Sequence, residues 1–590
     1  MTYAFIKILA LVTASVCVSS AAEKAADTLV TSVIDGVELQ VALSAAAGNQ
    51  QPDIINIGEG VIDVSVLGSP FLYRPERKSD GSLEENFPIW IRGAGKDKTF
   101  LDGGGTQHIL YIVTGDLRDD MNATIRISDI TFRNTPNTLG ANAALSVVTN
   151  KAGATIDNCS FYGCRGDEGA LSAASINIGA LGGLIVESCS FDSCCGGLHA
   201  MSGSSVSVMK SVFRRITDYQ ALEATCSNGL IAIDKCSFEN CRQVSGNAVA
   251  DCSIMQAGNM DITNNSFAYD TNGALSMLNQ HGNIKIAGNT FDSNENTEAA
   301  AVGATVGGDS RIVASGNYFL RNRSTNNAAA YLKTYGIAGH EDDGSSIMAY
   351  NNVFGYNHSG AGAAGLRMET QMGTMDLINN TFAFDTTSAN QCGEAASVGV
   401  YLGAGDAMAA LVNNIIWGGV CGGKPATDIL MDGAGANVLL SHNLIGKDSV
   451  AAATVITRSS NLSTDPNLDT SLNIHSGSVV IDAGDNDVWV SLGGGSSKDI
   501  LGHDRIVDGL HNGTAVVDIG AYEYTGSNSV RNPWKHAARE VYRPSAYGQW
   551  YTIQGRRGIG KLPHGNIVVV LPSAGEKSAS GTLLFVPKGR

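Results

Sequence analysis

A four-residue phrase returns along the middle of this chain and leaves few folds open to it. It reads Asn158-Cys-Ser-Phe161, then Ser188-Cys-Ser-Phe191, Lys235-Cys-Ser-Phe238, Asn264-Asn-Ser-Phe267, Gly288-Asn-Thr-Phe291, Gly316-Asn-Tyr-Phe319, Asn351-Asn-Val-Phe354 and Asn379-Asn-Thr-Phe382. Looser copies end at Phe132, Phe213, Ile416 and Ile445. About twelve copies thus recur at roughly 22 to 35 residues, the period of a solenoid made by stacking one unit.

Within each copy, apolar residues stand five and seven places before the anchor Phe or Ile: Leu184 and Val186, Ile231 and Ile233, Ile284 and Ile286, Met375 and Leu377. Alternation with period two means a strand with one buried face. Two places before the anchor stands Asn (265, 289, 317, 352, 380, 414, 443) or Cys (159, 189, 236), at the bend between two short strands. An Asn side chain both donates and accepts, so stacked copies can bond one another and the backbone of the bend. Cys fits the same slot as a small hydrophobe. After each anchor comes a further strand-like phrase, such as Gly273-Ala-Leu-Ser-Met, Ala330-Tyr-Leu-Lys and Gly365-Leu-Arg-Met-Glu. Three short strands per repeat, with no helical periodicity between repeats, give an all-β chain wound as a parallel β-helix of about twelve coils. Over most of residues 100 to 450 the array resembles right-handed parallel β-helix proteins of the pectin-lyase-like type.

The chain has 590 residues, 70 of them Gly, and a formal charge of −17. An acidic, aromatic-poor surface excludes nucleic acid as a partner, because phosphate binding needs clustered Lys and Arg. Beyond the N-terminus no apolar run is long enough to span a bilayer. A monomer is expected.

Residues 1–22 read as a secretory signal peptide: Lys7, an apolar core from Ile8 to Val18, then Ser19, Ser20, Ala21 and Ala22. Residues 23–110 form an N-terminal cap and first coils, with a short amphipathic helix over 36–47, a strand at Ile54–Ile57 and a surface insertion over 68–88. The β-helix proper occupies 111–460. Residues 461–525 close it: Asp465-Pro-Asn-Leu468, Ser478-Val-Val-Ile-Asp-Ala-Gly484, His503-Asp-Arg-Ile506 and Val517-Asp-Ile-Gly-Ala-Tyr-Glu-Tyr524 together resemble the tail of choice-of-anchor Q surface proteins. No cofactor is required. Ca2+ is the ion that the tail's Asp482, Asp504, Asp518 and Glu523 would suit, although capping the last coil and pairing Arg505 explains them as well. After a linker at 526–545, residues 546–590 form a small β-sandwich-like domain. Its Gly555-Arg-Arg557 and Leu562-Pro-His-Gly565 turns resemble the C-terminal sorting domain of type IX secretion in Bacteroidetes. The resemblances at the two ends imply export machinery as a partner and a secreted or outer-surface location.

Cys-Ser-Phe-x-x-Cys occurs three times, pairing Cys159 with Cys164, Cys189 with Cys194 and Cys236 with Cys241. Asn294, Asn322 and Asn357 fill the second slot in other coils, so these thiols read as substitutes in two ladders rather than as a metal site or a disulfide framework. Cys392 and Cys421, one repeat apart, are a disulfide candidate.

The resemblance to pectin-lyase-like β-helix enzymes implies that any chemistry lies in a groove on the outer face of one sheet. By alternation, His199, Glu223, Asp251, Ser276, Lys333, Arg367 and Tyr401 face outward in successive coils, flanked by Tyr331 and Glu369. Two readings stay open. In one, the protein is a non-catalytic scaffold that binds a polysaccharide or a host or cell-surface glycan through His199, Glu223, Asp251, Tyr331 and Tyr401. In the other it is a polysaccharide lyase or another glycan-active enzyme acting on acidic polysaccharide by β-elimination, where Lys333, its pKa lowered by Arg367, removes a proton and Arg367 holds the uronate.

Overall fold

In the computed structural model the described residues are 28–76, 85, 87–114, 124–136, 143–149, 152–165, 171–175, 183–244, 248–335, 344–388, 395–403, 407–451, 454–491 and 498–526, with four further strands between 549 and 585. The expected signal peptide and almost all of the expected linker lie outside them. The chain divides into two units between Ser527 and Asn528.

The chain enters through the strand Leu29–Val33 and the helix Gly36–Ala46. Asp35 starts the helix: its carboxylate accepts from the Glu38 amide at 2.8 Å, while Glu38 accepts from the Ile34 amide at 2.9 Å. This reciprocal pair satisfies amides that a helix end leaves open. Leu39, Ala42, Leu43 and Ala46 are buried, and the helix packs on the strands of the first coils. One expectation fails here. Phe71–Tyr73, inside the supposed insertion, is a strand paired with Leu110–Ile112, and Phe71 and Tyr73 are buried. Only three residues alternate there, too few for the period to be read.

Beyond this cap the chain is a right-handed parallel β-helix. In one coil, Leu275–Asn279 lies in a first sheet, Ile284–Ala287 in a second and Thr290–Asp292 in a third. Each pairs in parallel with its counterpart in the next coil: Leu275 with Val302, Ile284 with Ile312, Thr290 with Tyr318. The first two sheets fuse where Leu222–Asp234 and Ala250–Thr263 run unbroken from one into the other. Among the described residues the third sheet has fourteen strands. It exceeds the anchored repeat because Ile62 and Leu101 stand in line ahead of Phe132, on strands that lack the phrase.

The anchors stack as rings. Neighbouring Phe centroids from Phe132 to Phe382 lie between 4.4 and 5.1 Å apart, with planes within 11° of each other. All are buried. Burying each phenyl stabilises the fold by about 1.5–3 kcal/mol, and the near-parallel column follows from exact in-line pairing in the third sheet.

Two ladders flank this column. The residue three before each anchor turns the chain in the left-handed region, as at Asn158 (φ 50°), Asn264 (φ 57°) and Gly288 (φ 67°). The ladder residue is the next one, just past the bend. Asn265 donates through Nδ2 to Asn289 Oδ1 at 3.0 Å and to the Ile233 carbonyl at 2.8 Å, while its backbone amide donates to the same Oδ1. This pattern repeats through Asn289, Asn317, Asn352, Asn380, Asn414 and Asn443 to Asn461. The second ladder runs Asp270, Asn294, Asn322, Asn357 and Asp385. At the coils without Asn, Cys159, Cys164, Cys189, Cys194, Cys236 and Cys241 are free, buried, and turned toward backbone carbonyls. Cys421 is disulfide-bonded; Cys392, its expected partner, lies outside the described residues.

The tail does not simply cap the last coil. It runs back over the outside of earlier ones, where the left-handed Asn residues receive it. Asn351 donates to the Lys498 carbonyl and accepts from Arg505, Asn379 donates to the Asp518 and Gly520 carbonyls, and Asn413 exchanges bonds with Asp485. Arg505 is wholly buried and pairs with Glu523 at 3.5 Å. The carboxylates that suited Ca2+ are used by the chain itself: Asp482 accepts from the amides of Gly509 and Leu510, Asp518 from those of Asp482 and Tyr524, Glu523 from those of Val507 and Asp518, and Asp504 pairs with Lys498. Among the described residues no group of three or more His, Cys, Asp or Glu is arranged to hold a metal ion. No described helix is long and apolar enough to cross a membrane.

In the second unit, Gln549–Thr552, Arg557–Ile559, Ile567–Val570 and Thr582–Phe585 form an antiparallel four-stranded sheet.

The second ladder carries a pH prediction. Asp270 is fully buried, and no donor reaches its Oδ2, which takes the place that Asn fills with Nδ2 in the next coils. Those amide nitrogens donate to an anchor's carbonyl and to the next Oδ1; an ionised Asp270 can make neither bond, and a protonated one, with its single O–H, can make one of them. Burial pushes its pKa up to about 8. The unfolded chain releases this proton near pH 4, so Asp270 costs stability progressively as pH rises from about 4 to about 8. Asp270→Asn should therefore raise the melting temperature at pH 8.5 and change it little at pH 4. Equal shifts at both pH values would show that Asp270 is ionised in the ladder.

Candidate functional site

In-line pairing sorts the outward residues of the first sheet into two rows. One runs His199, Glu223, Asp251, Ser276, Gly303, Tyr331, Arg367 and Gly399; the other runs Met201, Thr225, Ser253, Leu278, Thr305, Lys333, Glu369 and Tyr401. The single row expected from the sequence is thus two. Lys333 and Tyr401 belong to the second, and Arg367 stands in line with Tyr331, not with Lys333. The connection from anchor to strand changes length from coil to coil, so counting along the sequence cannot set this register.

Glu369, a flanking residue in the sequence reading, is the centre of the larger group. Tyr331 Oη donates to Glu369 Oε2 at 2.5 Å, Lys333 Nζ donates to Oε1 at 2.8 Å, and Arg367 Nη2 lies 3.4 Å from Oε2. The guanidinium of Arg367 sits 5.3 Å from the Tyr331 ring centre and 4.3 Å from that of Tyr401, a planar cation between two aromatic rings. Tyr401 reaches it by folding over Gly399, where a Cβ would come within 2.7 Å of the ring. Arg367 Nε is buried with no acceptor from the protein.

The charges follow from this geometry. The hydrogen bond to Glu369, against some desolvation, raises the pKa of Lys333. Burial would raise that of Glu369, but the bonds from Lys333 and Tyr331 outweigh it and hold the carboxyl below its ordinary value. Burial and then Glu369 raise that of Tyr331. Lys333 is therefore an ammonium at neutral pH, the opposite of the lowered pKa that a lysine base requires. The neighbour that controls it is Glu369, not Arg367.

His199, Glu223 and Asp251 stand apart from this group. Asp251 and Tyr331 are three coils apart, about 14 Å at the spacing of paired strands. His199 Nε2 and Glu223 Oε2 approach to 3.8 Å. A groove of about 330 Å³ lies elsewhere, on the outside of the second sheet between Asp376, Met408, Ala410 and Leu439. Its lining is mainly apolar and presents no comparable set of polar groups.

A family model described as a right handed beta helix region matches residues 116–259. Among curated proteins nothing matches this chain. Among solved structures, the catalytic unit of a thermostable GH87 α-1,3-glucanase from Streptomyces thermodiastaticus is 12% identical, with 76% of this chain and 71% of that chain covered and a TM-score of 0.35. The Agl-KA catalytic domain is 12% identical, with 72% and 65% covered and a TM-score of 0.25. The PL6 family alginate lyase AlyGC is 9% identical, with 74% and 99% covered and a TM-score of 0.14. Such scores do not bear on the chemistry of the Glu369 group.

If Glu369 sets the charge of Lys333, Glu369→Gln should lower the pH at which Lys333 begins to react with an amine-acylating reagent, read by mass spectrometry of the labelled peptide. An unchanged midpoint would mean that Lys333 does not depend on this contact.

Proposed function

We propose that this protein binds polysaccharide along the outer face of its first sheet, with Tyr331, Arg367 and Tyr401 as the centre of contact. The observation that carries this reading is the guanidinium held between two tyrosine rings, oriented by Glu369 and left with a buried Nε–H that lacks an acceptor. Sugar rings present apolar faces that stack on aromatic and guanidinium planes, and hydroxyls that exchange hydrogen bonds with Arg, Lys and Glu. Lys333 and Arg367 against Glu369 leave one positive charge in a chain of net −17, which favours an acidic glycan over a neutral one. His199, Glu223 and Asp251 extend the same face toward the N-terminal coils.

The lyase reading asks more of this cluster. β-Elimination needs a base that accepts the proton beside the uronate carboxyl, and Lys333 is kept protonated by Glu369. Binding without cleavage, with no required cofactor, is therefore the reading we put forward. In it the protein is exported through residues 1–22, the choice-of-anchor Q-like tail stiffens the C-terminal coils, and residues 546–590 act as an address for the cell surface.

Affinity electrophoresis of the mature protein through gels containing acidic or neutral polysaccharides tests this. Retention by an acidic polysaccharide is expected, weakened about tenfold or more by Tyr401→Ala and by Arg367→Ala, the loss of roughly 1.4 kcal/mol or more of contact. Unsaturated sugar products released by the wild type and abolished by Lys333→Ala would replace binding with lyase activity. A protein retained by no polysaccharide would overturn the reading.

A further inference from the structure

Glycine weakens a strand interior, so each one there calls for a physical reason: a bulge, a close neighbour or an approaching ligand. On the first sheet, two have a neighbour. A Cβ on Gly399 would meet the Tyr401 ring at 2.7 Å, and one on Gly307 would meet the Tyr335 ring at 2.8 Å. Gly303, within the strand Val302–Gly307, is different. The nearest atom to a Cβ placed there is Ala299 Cβ at 3.9 Å, and its φ is not in the left-handed region. Nothing in the protein's own packing needs glycine at this position.

Its surroundings are those of a small open notch. Gly303 is paired in line with Ser276 on one side and Tyr331 on the other, and Thr305, two residues along the strand, pairs with Lys333. Ser276, Gly303, Thr305 and Tyr331 are all half-buried. Tyr331 and Lys333 both bond to Glu369 in the following coil, so they are drawn away from Gly303 and leave the space above it clear.

We infer that Gly303 is the floor of a subsite that takes one pyranose ring of an acidic polysaccharide, immediately beside the Tyr331–Arg367–Tyr401 centre. This rests on the reading of the face as polysaccharide-binding, and adds to it where one sugar sits and why the chain keeps a glycine there. A sugar ring is about as wide as the ~4.8 Å between paired strands, so successive sugars can stand over successive coils. One ring then lies over Gly303, within reach of the Ser276 and Thr305 hydroxyls, while its neighbour stacks on Tyr331 and Arg367. A side chain at 303 would fill the place of the first.

The test uses the full mature chain, with the acidic polysaccharide that retains the wild type as probe. A Cβ at 303 meets nothing closer than 3.9 Å, and valine has the higher strand propensity, so Gly303→Val should melt at or above the wild-type temperature while binding at least tenfold more weakly. Gly303→Ser copies the residue at the same place one coil earlier; it should fold like the wild type and lose less binding than valine. Should the valine variant fail to fold, the serine variant decides. If both bind as tightly as the wild type while Tyr401→Ala does not, the face binds glycan but the subsite at Gly303 is wrong. If the wild type binds no polysaccharide, the reading of the face falls and the subsite with it.

Discussion

Every coil of this protein must present the same kind of residue at the same inward place, because the coils pair in line and each rests directly on the last. The stacked Phe column and the two side-chain ladders are where that demand is met. A phenyl ring shifted by one residue would point outward and leave a gap in the column. An Asn shifted likewise would leave a buried amide of the neighbouring coil unpaired, at a cost of about 1–3 kcal/mol. The Asn ladder is thus a register device: its Oδ1 accepts from the backbone and side chain of the coil before, as Asn289 does from Asn265. Cys fills the slot in the N-terminal coils with weaker donors, and Asp270 and Asp385 fill it as buried acids whose pKa values burial moves up to about 8 and about 7.

The same constraint delivers the outer face. Once the inward residues are in line, the outward ones form straight rows at the spacing of paired strands, free of any role in the core. Most positions in these rows are small or uncharged. Tyr331, Lys333, Arg367, Glu369 and Tyr401 concentrate aromatic and charged groups across three adjacent coils, and glycines beside them set where rings lie. Gly399 admits the Tyr401 ring beside Arg367. The strands that carry the cluster pair in line with the coils on both sides, which fixes the backbone beneath it.

What the sequence made legible follows from periodicity. Anchors, ladder residues and the inward alternation repeat, and all are in place, as is the helix over the first coil. The rows of the first sheet are not legible, since turns of unequal length intervene before each of its strands: Lys333 and Arg367 look aligned in sequence, yet Arg367 pairs with Tyr331, two residues away. The course of the tail was hidden for another reason: its partners are Asn351, Asn379 and Asn413, which look like ladder residues. The signal was the Asn-Asn doublet. The first member turns in the left-handed region and bonds to the tail, while the second turns inward to the ladder.

If glycan contact is confined to the first sheet, oxidative footprinting of tyrosines will show it directly. Tyr162 and Tyr269 are more than half exposed and lie at the third sheet and the bend after it, away from the first sheet. With saturating acidic polysaccharide, Tyr331 and Tyr401 should be protected from oxidation while Tyr162 and Tyr269 react as in the free protein. Protection of Tyr162 and Tyr269 with Tyr331 and Tyr401 unchanged would contradict it.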